Sequence, residues 1–422
     1  MTLEKYMKSV ISTLVVILLI SPLYGQVTTS TLSTTQLSGA LNPITTSVPF
    51  LLISPDSKQG GMGDVGAATD CDINSIHWNG SKLAFAEKQF GTGFTVTPWL
   101  RSLVPDINMY YLAGYGRLND KQTVGGSLRY FSLGNIDLTN DQGTRTGNFK
   151  PNEFAIDLCF AQKLSKYLSL GVATRFINSS ISRVYFQGSS GNAASTVAVD
   201  LSMYFKSNKF KLSDKKAVAT AGLALTNMGA KIKYSNDQNF IPINLRLGGG
   251  LKTEIDQYNT LAIYTDFNKL LVPSPPVYST AINPATGQAS IVIDPTTGNK
   301  VIAKGKNPNV DVVTGMLQSF GDAPGGFKEE LKEINIATGL EYAYNNVLAV
   351  RTGYFYEPKT KGGRQYLTFG MGFKFKVITV DGSYLVPTSL RNPLQNTWRI
   401  TLSFNFDSVN NAEEDEKEGV KP

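Results

Sequence analysis

Apolar and polar residues alternate with a period of two along most of the chain. At Trp398, Ile400, Leu402, Phe404 and Phe406 every even position is large and apolar, with Arg399, Thr401, Ser403 and Asn405 between them. The same rhythm runs through 367–375, 197–205, 154–160, 168–176 and 241–247, and such segments fill the chain from about 91 to 406. A period of two marks a strand whose faces meet different surroundings. In a soluble sandwich the apolar face is the core. In a membrane barrel it meets lipid, and the polar or small face lines the lumen.

Three features favour the barrel. The segments are about ten residues long, enough to cross a bilayer when tilted. Tyrosines gather near segment ends (Tyr110, Tyr111, Tyr130, Tyr167, Tyr185, Tyr258, Tyr342, Tyr344, Tyr354, Tyr356), as an interfacial aromatic girdle requires. The last segment ends on Phe404-Asn405-Phe406, resembling the aromatic terminal strand that barrel-insertion machinery recognises. The pattern predicts an all-β protein, a transmembrane antiparallel barrel of 14 strands: 91–100, 107–117, 121–133, 152–163, 167–182, 194–206, 216–227, 241–254, 258–268, 333–344, 347–357, 365–375, 377–386 and 396–406. Connections after even strands are mostly short and those after odd strands longer, which puts short turns in the periplasm and long loops outside. Asn345-Asn346 suits a tight turn because Asn tolerates positive φ. Two places fit this scheme badly: 207–215 is long for its side, and 375–377 holds no turn residue.

The first 25 residues have a different logic. Lys5 and Lys8 precede an apolar run, VISTLVVILLI, broken by Pro22 and followed by Gly25, which reads as a secretory signal peptide. No Cys follows the cut, so no lipid anchor is expected. Removing it leaves a net charge of +6, from 38 basic and 32 acidic residues. That is modest for this length and gives no argument for nucleic acid. Residues 26–44, rich in Thr, Ser and Leu, read as a flexible lead. Residues 45–90 do not alternate and precede the first strand by more than a barrel needs, so they are expected to fill the lumen as a plug. The connection 269–332 carries Pro273, Pro275, Pro276, Pro284, Pro295, Pro308 and Pro324, with a short helix expected from Val312 to Phe320. Connections of this length are functional or disordered. Residues 407–422 form an acidic periplasmic tail.

Candidate chemistry is sparse. Charged residues are 17% of the chain, and there is one His and two Cys, which excludes a His/Cys zinc cluster and a disulfide framework. The single histidine, His77, leaves no Ser-His-Asp set, so no catalytic residue, cofactor site or metal site is expected and the chain does not read as an enzyme. Gly61-Met62-Gly63-Asp64-Val65-Gly66 matches G-x-G-x-x-G, but it follows no strand of a βαβ unit and reads as a tight backbone path in the plug. Cys71 falls in the plug and Cys159 on a lumen-facing position. An oxidising compartment permits a disulfide, while nothing in the sequence fixes their separation. Asn79-Gly80-Ser81 matches a glycosylation acceptor and reads as an accidental match.

The run Phe50-Leu51-Leu52-Ile53-Ser54-Pro55-Asp56-Ser57-Lys58, then Gly60 to Thr69, then His77-Trp78-Asn79, resembles the N-terminal segment of the PorV family, outer-membrane barrels of the type IX secretion system of Bacteroidetes. The resemblance extends to Asp381-Gly382-Ser383-Tyr384-Leu385-Val386-Pro387. The Gly-Met-Gly and Trp-Asn elements are shared with FadL-like transporters, whereas Ser54-Pro55-Asp56 is more specific. Gly80-Ser81 departs from the family, which usually carries Pro-Ala there. The resemblance implies a FadL-like barrel in the outer membrane whose plug motif (Ser54, Pro55, Asp56, Gly61, Gly63, Gly66, Trp78, Asn79) is structural. It also implies a shuttle that docks beside an SprA-type translocon barrel, binds the C-terminal signal domains of secreted cargo and delivers cargo to a PorU-type sortase.

Extracellular loops on a rigid barrel are where recognition would sit. The 269–332 loop comes first, with Pro273, Pro275, Pro276, Val312, Met316 and Phe320 as candidate contacts, and 134–151 and 228–240 lie beside it. The competing reading is a FadL-like transporter of hydrophobic small molecules. That reading needs an apolar lumen, whereas the lumen-facing parity holds Asp157, Arg175, Asp200, Arg246, Asp266 and Arg399, charges of both signs.

Overall fold

The two-residue period folds into fourteen long strands that pair antiparallel with their sequence neighbours and close on themselves. The computed structural model describes residues 41–407 except 141, 182–184, 187–188, 191–192, 235–237, 283–288 and 390–391. The signal peptide, nearly all of the lead and the tail from 408 onward lie outside the described residues. The barrel strands are β1 (Phe90–Pro98), β2 (Ile107–Arg117), β3 (Gln122–Leu133), β4 (Asn152–Lys163), β5 (Leu168–Ser179), β6 (Ala194–Lys206), β7 (Lys215–Gly229), β8 (Asn244–Glu254), β9 (Asn259–Leu270), β10 (Ile334–Tyr344), β11 (Leu348–Tyr356), β12 (Gln365–Phe375), β13 (Ile378–Pro387) and β14 (Trp398–Phe406). β14 pairs with β1, Phe406 opposite Phe90 and Ile400 opposite Val96, which closes the ring and leaves no edge. Closure matters because an unpaired strand edge has no water to bond inside a bilayer. No described helix is long and apolar enough to cross a membrane.

The pleat sorts the side chains. Ile156, Leu158, Phe160, Val197, Leu201, Phe369, Met371, Ile400 and Leu402 point outward and are exposed, while Arg129, Asp157, Arg175, Asp266, Arg351 and Arg399 point inward and are buried. Exposed aromatics line both rims: Tyr110 beside Tyr130 at the long-loop rim, and Tyr258 beside Tyr344 at the short-turn rim. Tyr111 departs from the girdle reading. It is the strand neighbour of Tyr110, so the pleat turns it into the lumen, where the Arg129 guanidinium lies 5.6 Å from its ring centre. The side chain of Tyr185 lies outside the described residues.

The two awkward places have simple solutions. Lys376 takes a left-handed φ of 52° and makes a tight turn between β12 and β13 without a glycine. The long 207–215 connection extends the wall: Phe210–Leu212 folds back against Lys215 to Ala217 as a short hairpin. Asn345 and Asn346 both have positive φ, as their turn requires. One expectation is corrected. Ile241 and Ile243 precede β8 and do not face lipid. Ile243 N–H bonds back to the Ile241 carbonyl, and both side chains join Phe50, Leu51, Leu271 and Val272 in a buried cluster under the loops. Among the barrel pairings, β6 with β7 breaks register, between Val199 and Leu201. There Asn227 adopts φ 61° and its N–H donates to Asp200 at 2.6 Å.

Candidate functional site

Residues 41–89 run through the lumen from the long-loop rim to the short-turn rim. Residues 42–44 belong to this anchored segment, not to a free lead: Asn42 N–H donates to the Thr360 carbonyl, and its side-chain amide donates to Pro275 O and Glu329. Apolar Val48, Phe50 and Leu51 then fill the space beneath the loops.

Ser54-Pro55-Asp56 forms the first fixed point in the lumen. Arg399 Nε donates to the Ser54 carbonyl at 3.2 Å. Asp56 Oδ1 accepts the Gln59 N–H at 2.9 Å and caps helix α1 (Ser57–Gly60), while Oδ2 accepts Trp78 Nε1 at 2.7 Å. Ser57 is held from the wall, with both its N–H and its hydroxyl 3.0 Å from Thr401 Oγ1. Complete burial, with Asp72 nearby, pushes the Asp56 carboxyl up to about 7 against the hydrogen bonds it accepts.

The G-x-G-x-x-G run touches the wall backbone to backbone. A Cβ on Gly61 would lie 2.9 Å from Gly370 Cα, and one on Gly63, whose φ is +72°, would lie 2.6 Å from Tyr354 N. The wall answers with its own glycines: a Cβ on Gly353 would meet Met62 at 2.1 Å. A Cβ on Gly66 would strike the Trp78 ring. The motif is therefore a packing surface. Asp266 on β9 then takes both the Gly66 and Ala67 N–H groups on one oxygen, at 2.7 and 2.9 Å.

The far half of the plug is helix α2 (Ser75–Trp78) and a 3-10 turn, Gly80–Phe85. The Arg246 guanidinium lies 4.6 Å from the Trp78 ring centre. Asn79 donates to Ala67 O and to Met203 O on β6, and is buried, which removes it as a glycosylation acceptor in the fold. Gly80 has a local reason: a Cβ there would lie 2.6 Å from Cys159 Sγ. Cys71 and Cys159 are both free thiols. Arg129 donates to the Leu51 carbonyl at 2.9 Å and bridges to His77 Nδ1 at 2.5 Å. Burial, then the Arg129 charge, holds His77 well below its usual range, so it is neutral.

Some of the inward charges are paired with each other. Arg175 reaches Asp157 at 2.5 Å and Asp200 at 3.1 Å, and also bonds Asn227. At the short-turn end, a cavity of about 420 Å³ is lined by Lys58, Asp70, Asp72, Lys252, Glu341 and Arg351. Its walls are ion pairs, Lys252–Asp70 at 2.9 Å, Lys58–Asp72 at 3.2 Å and Arg351–Glu341 at 2.7 Å. Burial alone would raise Asp70, but the ammonium groups of Lys252 and Lys206 hold it below the carboxylate range. This is a polar vestibule and not a surface for hydrocarbon.

At the other rim, the 271–333 connection is built on buried charge. Lys269 bonds Glu330 and Glu333 at 3.1 and 2.6 Å, and Lys361 bonds Glu333 and Glu329 at 3.0 and 2.6 Å. Ser274 caps the cluster, its hydroxyl 2.5 Å from Glu333 and its N–H donating to Asp322. Of the loop residues singled out from the sequence, Pro273 and Pro276 are buried in this stem and Pro275 is half-buried. Helix α3 (Val312–Gln318) ends short of Phe320. Val312 and Met316 face the barrel, and Phe320 is exposed. Large exposed side chains the sequence did not single out include Val313, Leu317, Phe327 and Leu331. Their signal was the helical spacing of Val313 and Leu317, which form a second apolar stripe about 100° round the helix from Val312 and Met316.

A closed fourteen-stranded barrel with an apolar outer wall, aromatic rims and a polar lumen filled by its own N-terminal segment defines a transmembrane barrel of the outer-membrane type. The family described as type IX secretion system protein PorV matches residues 37–277, more than half of the chain, and the chain belongs to that family. Among solved structures it is similar to the Ralstonia pickettii toluene transporter TbuX (11% identity, 85% of this chain and 100% of that one, TM-score 0.44). It is also similar to the Pseudomonas putida toluene transporter TodX (14%, 84% and 99%, 0.44) and to a Pseudomonas aeruginosa FadL homologue (11%, 87% and 100%, 0.40). No curated protein matches the sequence.

Two measurements probe the plug. His77 is neutral in the fold but takes a proton below its ordinary pKa of 6.5 when unfolded, so it costs stability as pH falls through 6.5. Asp56 acts in the opposite sense, costing stability as pH rises toward 7, so the histidine is isolated by substitution. His77→Gln should gain on the wild type as pH drops from 7 to 5, by at most about 1.4 kcal/mol per pH unit, in urea titrations of liposome-embedded protein. Gly63→Val places a branched side chain at a left-handed φ against the β11 backbone, a strain of about 1–3 kcal/mol before any clash. It should unseat the plug and raise steady ion conductance in planar bilayers above that of the wild type.

Proposed function

We propose that this protein works as a carrier barrel of type IX secretion, localised in the outer membrane, with the business carried outside the lumen. It binds the C-terminal signal domain of secreted cargo at its long-loop face, beside an SprA-type translocon barrel, and hands cargo to a PorU-type sortase. It is not an enzyme in this reading. One observation carries the proposal: the plug is joined to the wall all along its path by buried or part-buried hydrogen bonds, from Arg399–Ser54 through Asp266–Gly66 to Asn79–Met203. A conduit for apolar molecules needs a greasy path and a plug that yields. Here the mid-lumen is filled with Trp78, Arg129, Arg399 and Lys82, all fully buried. Family membership supplies the secretion context. The loop face supplies the means, because the Lys269 and Lys361 cluster fixes the stem of the 271–333 connection to β9 and to the β11–β12 loop and presents Phe320, Phe327 and Leu331 to solvent.

The direct test is a pull-down from detergent-solubilised outer membrane, with a tag on the tail beyond Phe406 and the copurifying proteins identified by mass spectrometry. A very large barrel, or secreted proteins retaining their C-terminal signal domains, is the expected result. Recovery of the barrel alone with fatty acids in its extract would instead favour transport. Lys361→Ala leaves buried Glu333 without one of its two cations and half-buried Glu329 without its ion-pair partner, a loss of about 3–5 kcal/mol in the loop stem. It should make 277–326 sensitive to protease and reduce cargo recovery, while the barrel keeps its heat-modifiable gel mobility.

A further inference from the structure

We infer that helix α3 of the long loop is seated in the outer leaflet of the membrane, with acyl chains of lipid covering its free face. The helix does not stand above the barrel. It folds down over the outer wall at the β6–β7 register break. Met228 on β7 lies opposite Val199 on β6, and Leu225 lies between Leu201 and Leu245 in one cross-strand row. All of these point outward. Val199 and Leu201 are exposed, whereas Leu225, Met228 and Leu245 are half-buried, packed against the same buried cluster that Val312 and Met316 join. The helix sits close because Gly315 meets Phe240: a Cβ there would lie 2.6 Å from that ring.

The depth of this contact identifies the occupant. At the long-loop end of β5 and β6, the outward row turns polar at Asn178 and Ser195, which bond each other at 2.8 Å. Val199 is four residues further into the wall, about 13 Å along the strand, and Val197 between them is exposed and apolar. Met228, level with Val199, therefore lies inside the apolar belt, and so does whatever packs on it. Val313 and Leu317 on the helix's free face are 66% and 71% exposed. No charged residue occurs from Val312 to Gly321, and Asp311 caps the helix at its start by accepting the Thr314 N–H. A cleft of about 420 Å³ beside the helix, lined by Met228, Ala230, Val312, Val313, Met316 and Leu317, is almost entirely apolar. A face with this composition, continuous with a lipid-facing wall, is covered by acyl chains in the way an interfacial amphipathic helix is. A contiguous apolar patch left to water would be costly.

The test uses the whole protein in liposomes of phosphatidylethanolamine and phosphatidylglycerol, with no partner present. A nitroxide is attached at Leu317→Cys in a Cys71→Ala background, with Val197→Cys as the wall control and Asn299→Cys on an exposed loop hairpin as the water control. Collision rates with oxygen and with nickel-EDDA are read by EPR. The inference expects the 317 label to match 197: high oxygen access and loss of the nickel-EDDA access seen at 299. A 317 label as open to nickel-EDDA as 299 would overturn it and leave the face to a protein partner. Heat-modifiable gel mobility verifies that each labelled protein is folded.

Discussion

The structure depends on one constraint: a barrel of fourteen strands has a lumen too wide for its own side chains to fill, and most polar groups facing that space must find a partner. The plug meets it. Its backbone N–H and carbonyl groups, which no helix or sheet of its own satisfies, are taken up by inward side chains of the wall: Ser54 O by Arg399, Gly66 and Ala67 N–H by Asp266, Leu51 O by Arg129, Ser81 O by Ser169. The charges on the wall are offset in the same arrangement, as in Asp157–Arg175–Asp200. Plug and wall are thus one polar network, and each half left alone would expose buried charge without a partner.

Much of this is legible in the sequence because a strand's two faces write a period of two. The lumen-facing identities of Asp157, Arg175, Asp200, Arg246, Asp266 and Arg399 follow from parity alone, and all six are buried. Parity fails where strands end. Ile241 and Ile243 carry the rhythm but precede β8, and a local backbone turn aims them inward. Tyr111 has the composition of a girdle residue and the parity of a lumen residue, and parity decides. The G-x-G-x-x-G run is readable as a tight path, yet its partners Gly339, Gly353 and Gly370 lie some 280 to 310 residues away. Contacts between distant segments leave no local pattern, and the same holds for the Lys269–Glu330–Glu333 and Lys361–Glu329 cluster that fixes the loop.

This division of labour bears on function. In the proposed reading the lumen is spent on structure, and recognition falls to the surfaces outside it: the loop platform at one rim and the apolar wall. The short-turn vestibule, lined by paired ions, is open to water and has the character of a solvated end to the plug. Family membership places the chain in type IX secretion. The helix over β7 adds a part of the loop that belongs to the membrane and not to the partners.

The most direct measurement locks the plug and asks whether the protein still works. Ser57 and Thr401 hydroxyls lie 3.0 Å apart, so Ser57→Cys with Thr401→Cys can be joined by a disulfide across plug and wall. The account predicts that cells carrying the oxidised, locked protein deliver cargo to their surface as well as cells in which the bond is reduced. Loss of surface delivery on locking, restored by reduction, would contradict it and assign the plug a moving part in the function.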